Sequence, residues 1–286
     1  MGLPAASRQT NVPETNGVDC KIPGVSPRAS LQGQRCLAMN RLADKIAFVT
    51  GAGGGIGRAI CERFVAEGAL VAAADIDIRS AELAAPRDSR NRVIALQCDV
   101  GDSDSVRRAI SEAVATFGAL HILCNVAGGS TLRDAAVVDA PEDEFWRAVR
   151  VDLFGTFACC KHGLPEIVRS GGGSVINMAS MVSTMAVPGR DCYTAAKGGV
   201  VALTRSMAAE YAPQSVRVNA IAPGITLTPR VMARLDGSEA RKGLAATHRL
   251  GLVDPLEVAH LAVYLGSNES RTMTGQVIAV DSGASI

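Results

Sequence analysis

Tyr193 and Lys197 stand four residues apart in the segment Tyr193-Thr194-Ala195-Ala196-Lys197, and Ser180 lies 13 residues before the tyrosine. On a helix, positions i and i+4 share a face, so phenol and ammonium are brought together. A free phenol has a pKa of ~10 and is a poor base at neutral pH. A nearby ammonium favours the phenolate. Tyr193 can then take the proton of an alcohol while a hydride leaves the adjoining carbon, and return it in the reverse direction.

A second cluster with chemical meaning is Gly51-Ala52-Gly53-Gly54-Gly55-Ile56-Gly57. It follows directly on the apolar run KIAFVT and precedes a helical pattern. Glycines there let the chain turn tightly and let backbone amides approach a pyrophosphate at a helix N-terminus. The next apolar run, LVAAAD, ends at Asp75, 18 residues past Gly57. An acid at that spacing can bind the 2′-hydroxyl of an adenosine ribose. A carboxylate also repels a 2′-phosphate, and the glycine loop carries no Arg or Lys to hold one, so the pattern favours NAD over NADP. Asp77 comes two residues later, and Arg79 is near enough to keep NADP as the minor option.

These residues need a scaffold, and the pattern supplies one. Short apolar runs at Ile46–Thr50, Leu70–Asp75, 93–99, 122–127, 174–178, 216–221 and Val277–Val280 read as strands buried on both faces. Helical patterns lie between them at 57–68, Ser103–Phe117, 142–169 and 193–211. Gly155 and Pro165 are placed to interrupt the long one. Asp254-Pro255-Leu256-Glu257 combines a capping box with proline at the first helical position, so a helix starts there. This alternation predicts an α/β chain with a single doubly wound Rossmann-type domain and a central, mostly parallel seven-stranded sheet.

The chain has 286 residues, 48% of them hydrophobic and 20% charged, which is ample for one large core. Aromatics are only 3% while glycines number 29, so small and branched aliphatic residues carry the apolar share. The net charge of +1 provides no global field for a nucleic acid backbone. No apolar run reaches the ~18–20 residues that span a membrane. Residues 1–40 are rich in Pro, Ser, Gly, Asn and Gln without periodicity, and read as a disordered tail before a catalytic domain at 41–286. Folded sequence starts just after Met39, which makes Met39 an alternative start.

From Arg41 onward the chain resembles the short-chain dehydrogenase/reductase family. The motifs are residues 50–57 (TGAGGGIG), Asn125-Val126-Ala127-Gly128, Ser180, Tyr193 with Lys197, residues 219–224 (NAIAPG) and the closing TGQVIAVDSG. The resemblance implies that Tyr193 is the general acid/base, that Lys197 lowers its pKa and binds the nicotinamide ribose, and that Ser180 hydrogen-bonds the substrate oxygen. It implies cofactor contacts at Gly51, Gly55, Ile56 and Gly57 for the diphosphate, and at Asp99 and Val100 for the adenine. Asn125, Ala127 and Gly128 would lie along the cofactor, and Pro223, Gly224 and Thr228 would seat the carboxamide. It also implies a homotetramer. In VDLFGTF, Asp152 stands where the family usually has Asn, as part of a proton relay. A carboxylate ~5 Å from Lys197 at an effective dielectric of ~20 would interact by roughly 3 kcal/mol. That would offset part of the lysine's effect on Tyr193 and shift the pH optimum.

Other chemistry finds no support in the sequence. There is no HExxH, no His/Cys cluster at zinc spacing and no GxSxG elbow. His121, His162, His248 and His260 are scattered. Cys20, Cys36, Cys61, Cys98, Cys124, Cys159, Cys160 and Cys192 form no CxxC pair and read as reduced thiols of a cytoplasmic protein. The basic, glycine-interrupted segment 229–249 reads as a mobile substrate lid. Met181, Val182, Met185, Val187, Ile225 and Leu227 flank the expected site and suggest a partly apolar pocket. The expected activity is oxidation of a secondary alcohol, or reduction of a ketone, with NAD and no metal. The rivals are an NADPH-dependent 3-oxoacyl-thioester reductase and a non-catalytic nucleotide-binding scaffold.

Overall fold

Seven apolar segments form one parallel sheet: β1 Ile46–Thr50, β2 Leu70–Asp75, β3 Val93–Gln97, β4 Ile122–Asn125, β5 Gly173–Met178, β6 Val216–Pro223 and β7 Val277–Val280. The computed structural model describes residues 40–86, 91–234 and 247–286. The proposed tail at 1–40 lies outside them except for Asn40, and so does most of the proposed lid. Strand order is β3-β2-β1-β4-β5-β6-β7 and every pairing is parallel. The order reverses between β1 and β4, where open α/β sheets make a crevice at their carboxyl edge.

The helices are α1 Gly55–Ala66, α2 Ile78–Glu82, α3 Ser103–Phe117, α4 Glu142–Ala148, α5 Gly155–Arg169, α6 Asp191–Tyr211, α7 Pro229–Arg234 and α8 Pro255–Gly266. They cover both faces of the sheet. Side-chain alternation along β1 sends Ala47 and Val49 toward α1 and α8, packed with Ile60, Phe64, Val258 and Val263. Phe48 points the other way, into a core with Val106, Ile110, Leu164 and Ile167 of α3 and α5. Parallel strands covered on both faces are apolar throughout, which explains the uninterrupted burial of β1.

Several boundaries differ from the sequence expectation. Strands β3 and β4 each stop two residues early, because the chain turns there to serve the crevice. The Asp99 carboxylate accepts from the Gly101 amide at 2.8 Å, and the Val126 and Ala127 amides donate to Thr50 Oγ1 at 3.0 and 3.1 Å. Strand β6 runs on to Pro223 because β7 pairs along its end. Helix α1 begins at Gly55, and Gly68 beyond it has φ +97°. The long helix expected over 142–169 is broken by a π-helical turn at Val149–Phe154. Pro165 sits inside α5 without ending it, between the buried Leu164 and Ile167. The capping box at Asp254 forms as expected.

Candidate active site

The carboxyl edge of the sheet collects the residues singled out by the sequence. At the end of β1, Gly51 has φ +63°, and a Cβ on it would lie 2.8 Å from Ala127 Cα. A Cβ on Gly57 would lie 2.1 Å from Gly51 O, so any side chain there would push the loop off the helix. Helix α1 starts with Gly54 as its N-cap and no side-chain cap hydrogen bond. Its first-turn amides, at Gly55, Ile56 and Gly57, are the donors that a diphosphate takes up. The opposite wall is Thr228, whose Cγ2 would be 2.7 Å from a Cβ on Gly55. The donor set therefore fits a dinucleotide.

Asp75 ends β2 half-buried. Its Oδ2 accepts from the Gly53 amide at 3.0 Å and its Oδ1 from the Asp77 amide at 3.2 Å. These bonds hold the carboxylate beside the glycine loop. Asp77 is used locally instead: it caps α2, accepting from the Arg79 amide and the Ser80 hydroxyl. That separates the two acids: Asp75 faces the glycine loop and Asp77 its own helix. Next along the edge come Asp99 and the buried Val100.

Asn125 has a different task from the one the resemblance suggests for its neighbours. Its side chain is buried and donates to Asn177 Oδ1 at 2.8 Å and Cys160 Sγ at 3.3 Å. It ties β4 to β5. Ala127 and Gly128 follow it, and Gly128 has φ +137°, with Asp152 Oδ1 2.2 Å from where a Cβ would sit. At the end of β6, the Gly224 amide donates to Val280 O. His248 Nε2 accepts from the Ile225 amide at 2.9 Å, which gives that histidine a structural role.

Helix α6 carries Tyr193 and Lys197. Its N-terminus is held by a residue from a distant loop: the Asp134 carboxylate accepts from the Cys192 and Tyr193 amides, both at 3.1 Å. Lys197 Nζ lies 5.5 Å from the Tyr193 ring centroid and donates to Met178 O at 2.8 Å. Burial raises the Tyr193 pKa. Lys197 pulls it down, Asp152 pushes it up, and the neighbouring Ser180 and the charge of Arg230 lower it again. Ser180 itself caps a 3-10 turn at Met181–Ser183. Val182 is buried there, and Met181, Met185, Val187, Ile225 and Leu227 are half-buried.

Asp152 is closer to the lysine than expected. It sits in the π-helical turn, fully buried, with Oδ1 at 3.3 Å from Lys197 Nζ and 2.6 Å from the Gly129 amide. Its Oδ2 lies 3.6 Å from Arg147 Nη1, and Arg147 is paired in turn with the buried Glu144 at 2.9 Å. A line of alternating charge thus runs Glu144–Arg147–Asp152–Lys197. The Asp152 carbonyl accepts from Thr156 Oγ1.

The line of charge has a measurable consequence. Replacing Asp152 by Asn keeps an acceptor for the Gly129 amide but removes the charge that opposes the Tyr193 phenolate. The acidic limb of the pH–rate profile for alcohol oxidation should move to lower pH in Asp152→Asn. An unchanged profile would remove the electrostatic role of Asp152.

Thr50, Asp134, Glu144 and Arg147 escaped the sequence reading. Thr50 lies within the quoted TGAGGGIG run, so its position was visible but not its two amide partners. Asp134 and Glu144 sit in an acidic stretch with no local signature.

Among the described residues no group of three or more His, Cys, Asp or Glu is placed to hold a metal ion. The six described cysteines are free and buried. Burial pushes the Cys192 thiol up, and the Asp134 carboxylate adds to that, so Cys192 is held as a thiol. A recess of about 620 Å³ opens at the opposite edge of the sheet, lined among others by Lys45, His121 and Arg217, and it contains none of the residues above. No helix among the described residues is long and apolar enough to cross a membrane.

A seven-stranded parallel sheet with a glycine loop after β1 and a Tyr–Lys pair on α6 defines a nucleotide-binding oxidoreductase fold, and comparison with known proteins agrees. Residues 51–285 match a family model described as enoyl-(acyl carrier protein) reductase, and the chain belongs to the short-chain dehydrogenase/reductase family. It is 34% identical over 242 residues to 2-(R)-hydroxypropyl-CoM dehydrogenase of Xanthobacter autotrophicus, covering 83% of this chain and 97% of that protein. It is 36% identical over 244 residues to cis-4-hydroxycyclohexanecarboxylate dehydrogenase of Sinomonas cyclohexanicum, covering 84% and 96%. A crystal structure of a short-chain type dehydrogenase/reductase from Mycobacterium marinum superposes with a TM-score of 0.80 at 30% identity, over 87% of this chain and 98% of that one.

Proposed function

We propose that the protein is an NAD-dependent dehydrogenase of secondary alcohols, with Tyr193 as general acid/base. The observation that carries this is the Tyr193–Lys197 pair on one face of α6, with Lys197 Nζ 5.5 Å from the phenol ring, set beside a glycine loop and an acid at the end of β2. The two relatives are named as dehydrogenases of a hydroxypropyl and a hydroxycyclohexane compound, which supports an alcohol substrate. A bound nicotinamide dinucleotide supplies the hydride acceptor. Ser180 Oγ orients the substrate oxygen, and Tyr193 Oη takes its proton. Lys197 lies close enough to stabilise the phenolate so formed. Gly55, Ile56 and Gly57 would hold the diphosphate through their amides, and Asp75 the adenosine ribose. Phe154 and Phe157 form an exposed tilted pair with centroids 6.2 Å apart, which supports self-association of the kind expected for a homotetramer.

The preference for NAD is the part most open to test. A 2′-phosphate ~5 Å from the Asp75 carboxylate at an effective dielectric of ~20 is repelled by about 3 kcal/mol, on the order of 100-fold in affinity. Wild type should therefore turn over alcohols with NAD and barely with NADP. In Asp75→Ser the kcat/KM for NADP should rise and that for NAD should fall. Equal use of both nucleotides by wild type would favour the NADPH-dependent reductase instead.

A further inference from the structure

Residues 128–131, which follow β4 at the edge of the crevice, have an arginine on every backbone carbonyl. Gly128 O accepts from Arg230 Nη2 at 3.1 Å, Gly129 O from Arg147 Nη2 at 3.3 Å, Ser130 O from Arg234 Nη2 at 3.1 Å and Thr131 O from Arg190 Nη1 at 2.8 Å. Arg147 is neutralised by Glu144 and Asp152. Arg190, Arg230 and Arg234 have no carboxylate partner among the described residues.

Three guanidiniums gathered on four residues, with no carboxylate partner among the described residues, repel one another. Burial and the charges of Arg230 and Arg190 lower the Arg234 pKa, which registers that crowding. The cluster also borders the reacting group. Arg190 is three residues before Tyr193 and is the N-cap of α6. The charge of Arg230 reaches the Tyr193 phenol and favours its charged form, as the smallest of the effects on it. Arg230 and Arg234 are four apart on α7, so they share a face. A guanidinium has five N–H donors in a fork that matches an oxyanion, and one bond to a carbonyl leaves most of them available.

We propose that Arg190, Arg230 and Arg234 form an anion subsite beside Tyr193, and that the substrate is a secondary alcohol or ketone bearing a carboxylate or similar oxyanion. This rests on the reading of Tyr193 as the proton-transfer group and narrows its substrate class. The subsite would fix one end of the substrate by paired hydrogen bonds, so that only one carbon comes to face Tyr193. A neutral alcohol would lack that anchor.

The test is calorimetric titration of the nucleotide-loaded enzyme with cyclohexanecarboxylate, ethanesulfonate and cyclohexanecarboxamide. The carboxylate should bind at least about tenfold tighter than the carboxamide, with a preference that weakens as salt is added. Arg190→Gln and Arg234→Gln should erase most of that preference, and Arg234→Lys should keep part of it. Tighter binding of the sulfonate than of the carboxylate would support the subsite and assign it to the tetrahedral anion. Equal binding of acid and amide, or variants that keep the preference, would overturn the proposal. So would variants whose affinity for NAD falls as much as their affinity for the acid, because the arginines would then serve the cofactor. Selective acid binding by an enzyme that oxidises neither 4-hydroxycyclohexanecarboxylate nor its amide would instead remove the hydride-transfer reading and leave the subsite standing.

Discussion

Tyr193→Phe should lower kcat/KM for alcohol oxidation on the order of 10³-fold while NAD affinity stays within a few-fold of wild type. Phenylalanine keeps the ring that lies 5.5 Å from Lys197 Nζ and the packing of the first turn of α6. It loses only the oxygen that accepts the proton, and removal of a positioned general base typically costs 10²–10⁴-fold. Ser180 remains but has no base beside it. In the unliganded chain burial raises the phenol's pKa, so wild-type oxidation should climb with pH above neutrality. Tyr193→Phe should lose that limb as well as the rate. Initial rates across pH, with nucleotide affinity from calorimetry, check both halves. Equal rates in the variant and wild type would end the proposed mechanism.

Lys197→Met should fail in two separable ways. Turnover should drop because the phenolate loses its nearest cation. Stability should drop as well, because Asp152 is fully buried and keeps only the more distant Arg147 as a charged partner. Breaking a buried ion pair by removing one member costs about 3–5 kcal/mol. For a domain of this size that is a fall in Tm on the order of 10 °C. The double variant Asp152→Asn/Lys197→Met removes both charges and should recover much of the stability, but none of the activity. Thermal unfolding of the three proteins beside their rates gives the answer. A single variant that melts like wild type would mean that Asp152 needs no counter-charge from Lys197.

Together these variants bear on why Asp occupies position 152 at all. The carboxylate opposes the phenolate, yet it also anchors Lys197 and accepts from the Gly129 amide at 2.6 Å. One residue thus links the lysine to the loop whose carbonyls hold Arg190, Arg230 and Arg234. The sequence reading placed this carboxylate ~5 Å from the ammonium, and the observed 3.3 Å makes the coupling stronger. Its connection to Arg147 spans five residues and passes through the π-helical turn at Val149–Phe154, a departure from regular helical spacing that no residue pattern announces. A Cβ on Gly155 would lie 2.8 Å from Val100 Cγ2, so that close approach depends on glycine.

Local pattern alone determined the parts of this protein that depend on near neighbours. Apolar runs gave the strands, because a parallel strand covered on both faces has no polar positions to dilute the signal. The i, i+4 spacing set Tyr193 against Lys197, and the run of glycines marked the turn into α1. Tertiary structure decided everything carried by residues far apart in the chain. Asp134 reaches the amides of Cys192 and Tyr193 across 58 and 59 positions. Arg230 and Arg234 reach the 128–131 loop across more than 100. Neither separation leaves a periodicity to read, because loops and strand order, not helical or strand repeat, bring such groups together. Identical local chemistry at Asp75 and Asp77 was likewise divided by structure: one carboxylate was turned onto the glycine loop, and the other was consumed in capping its own helix.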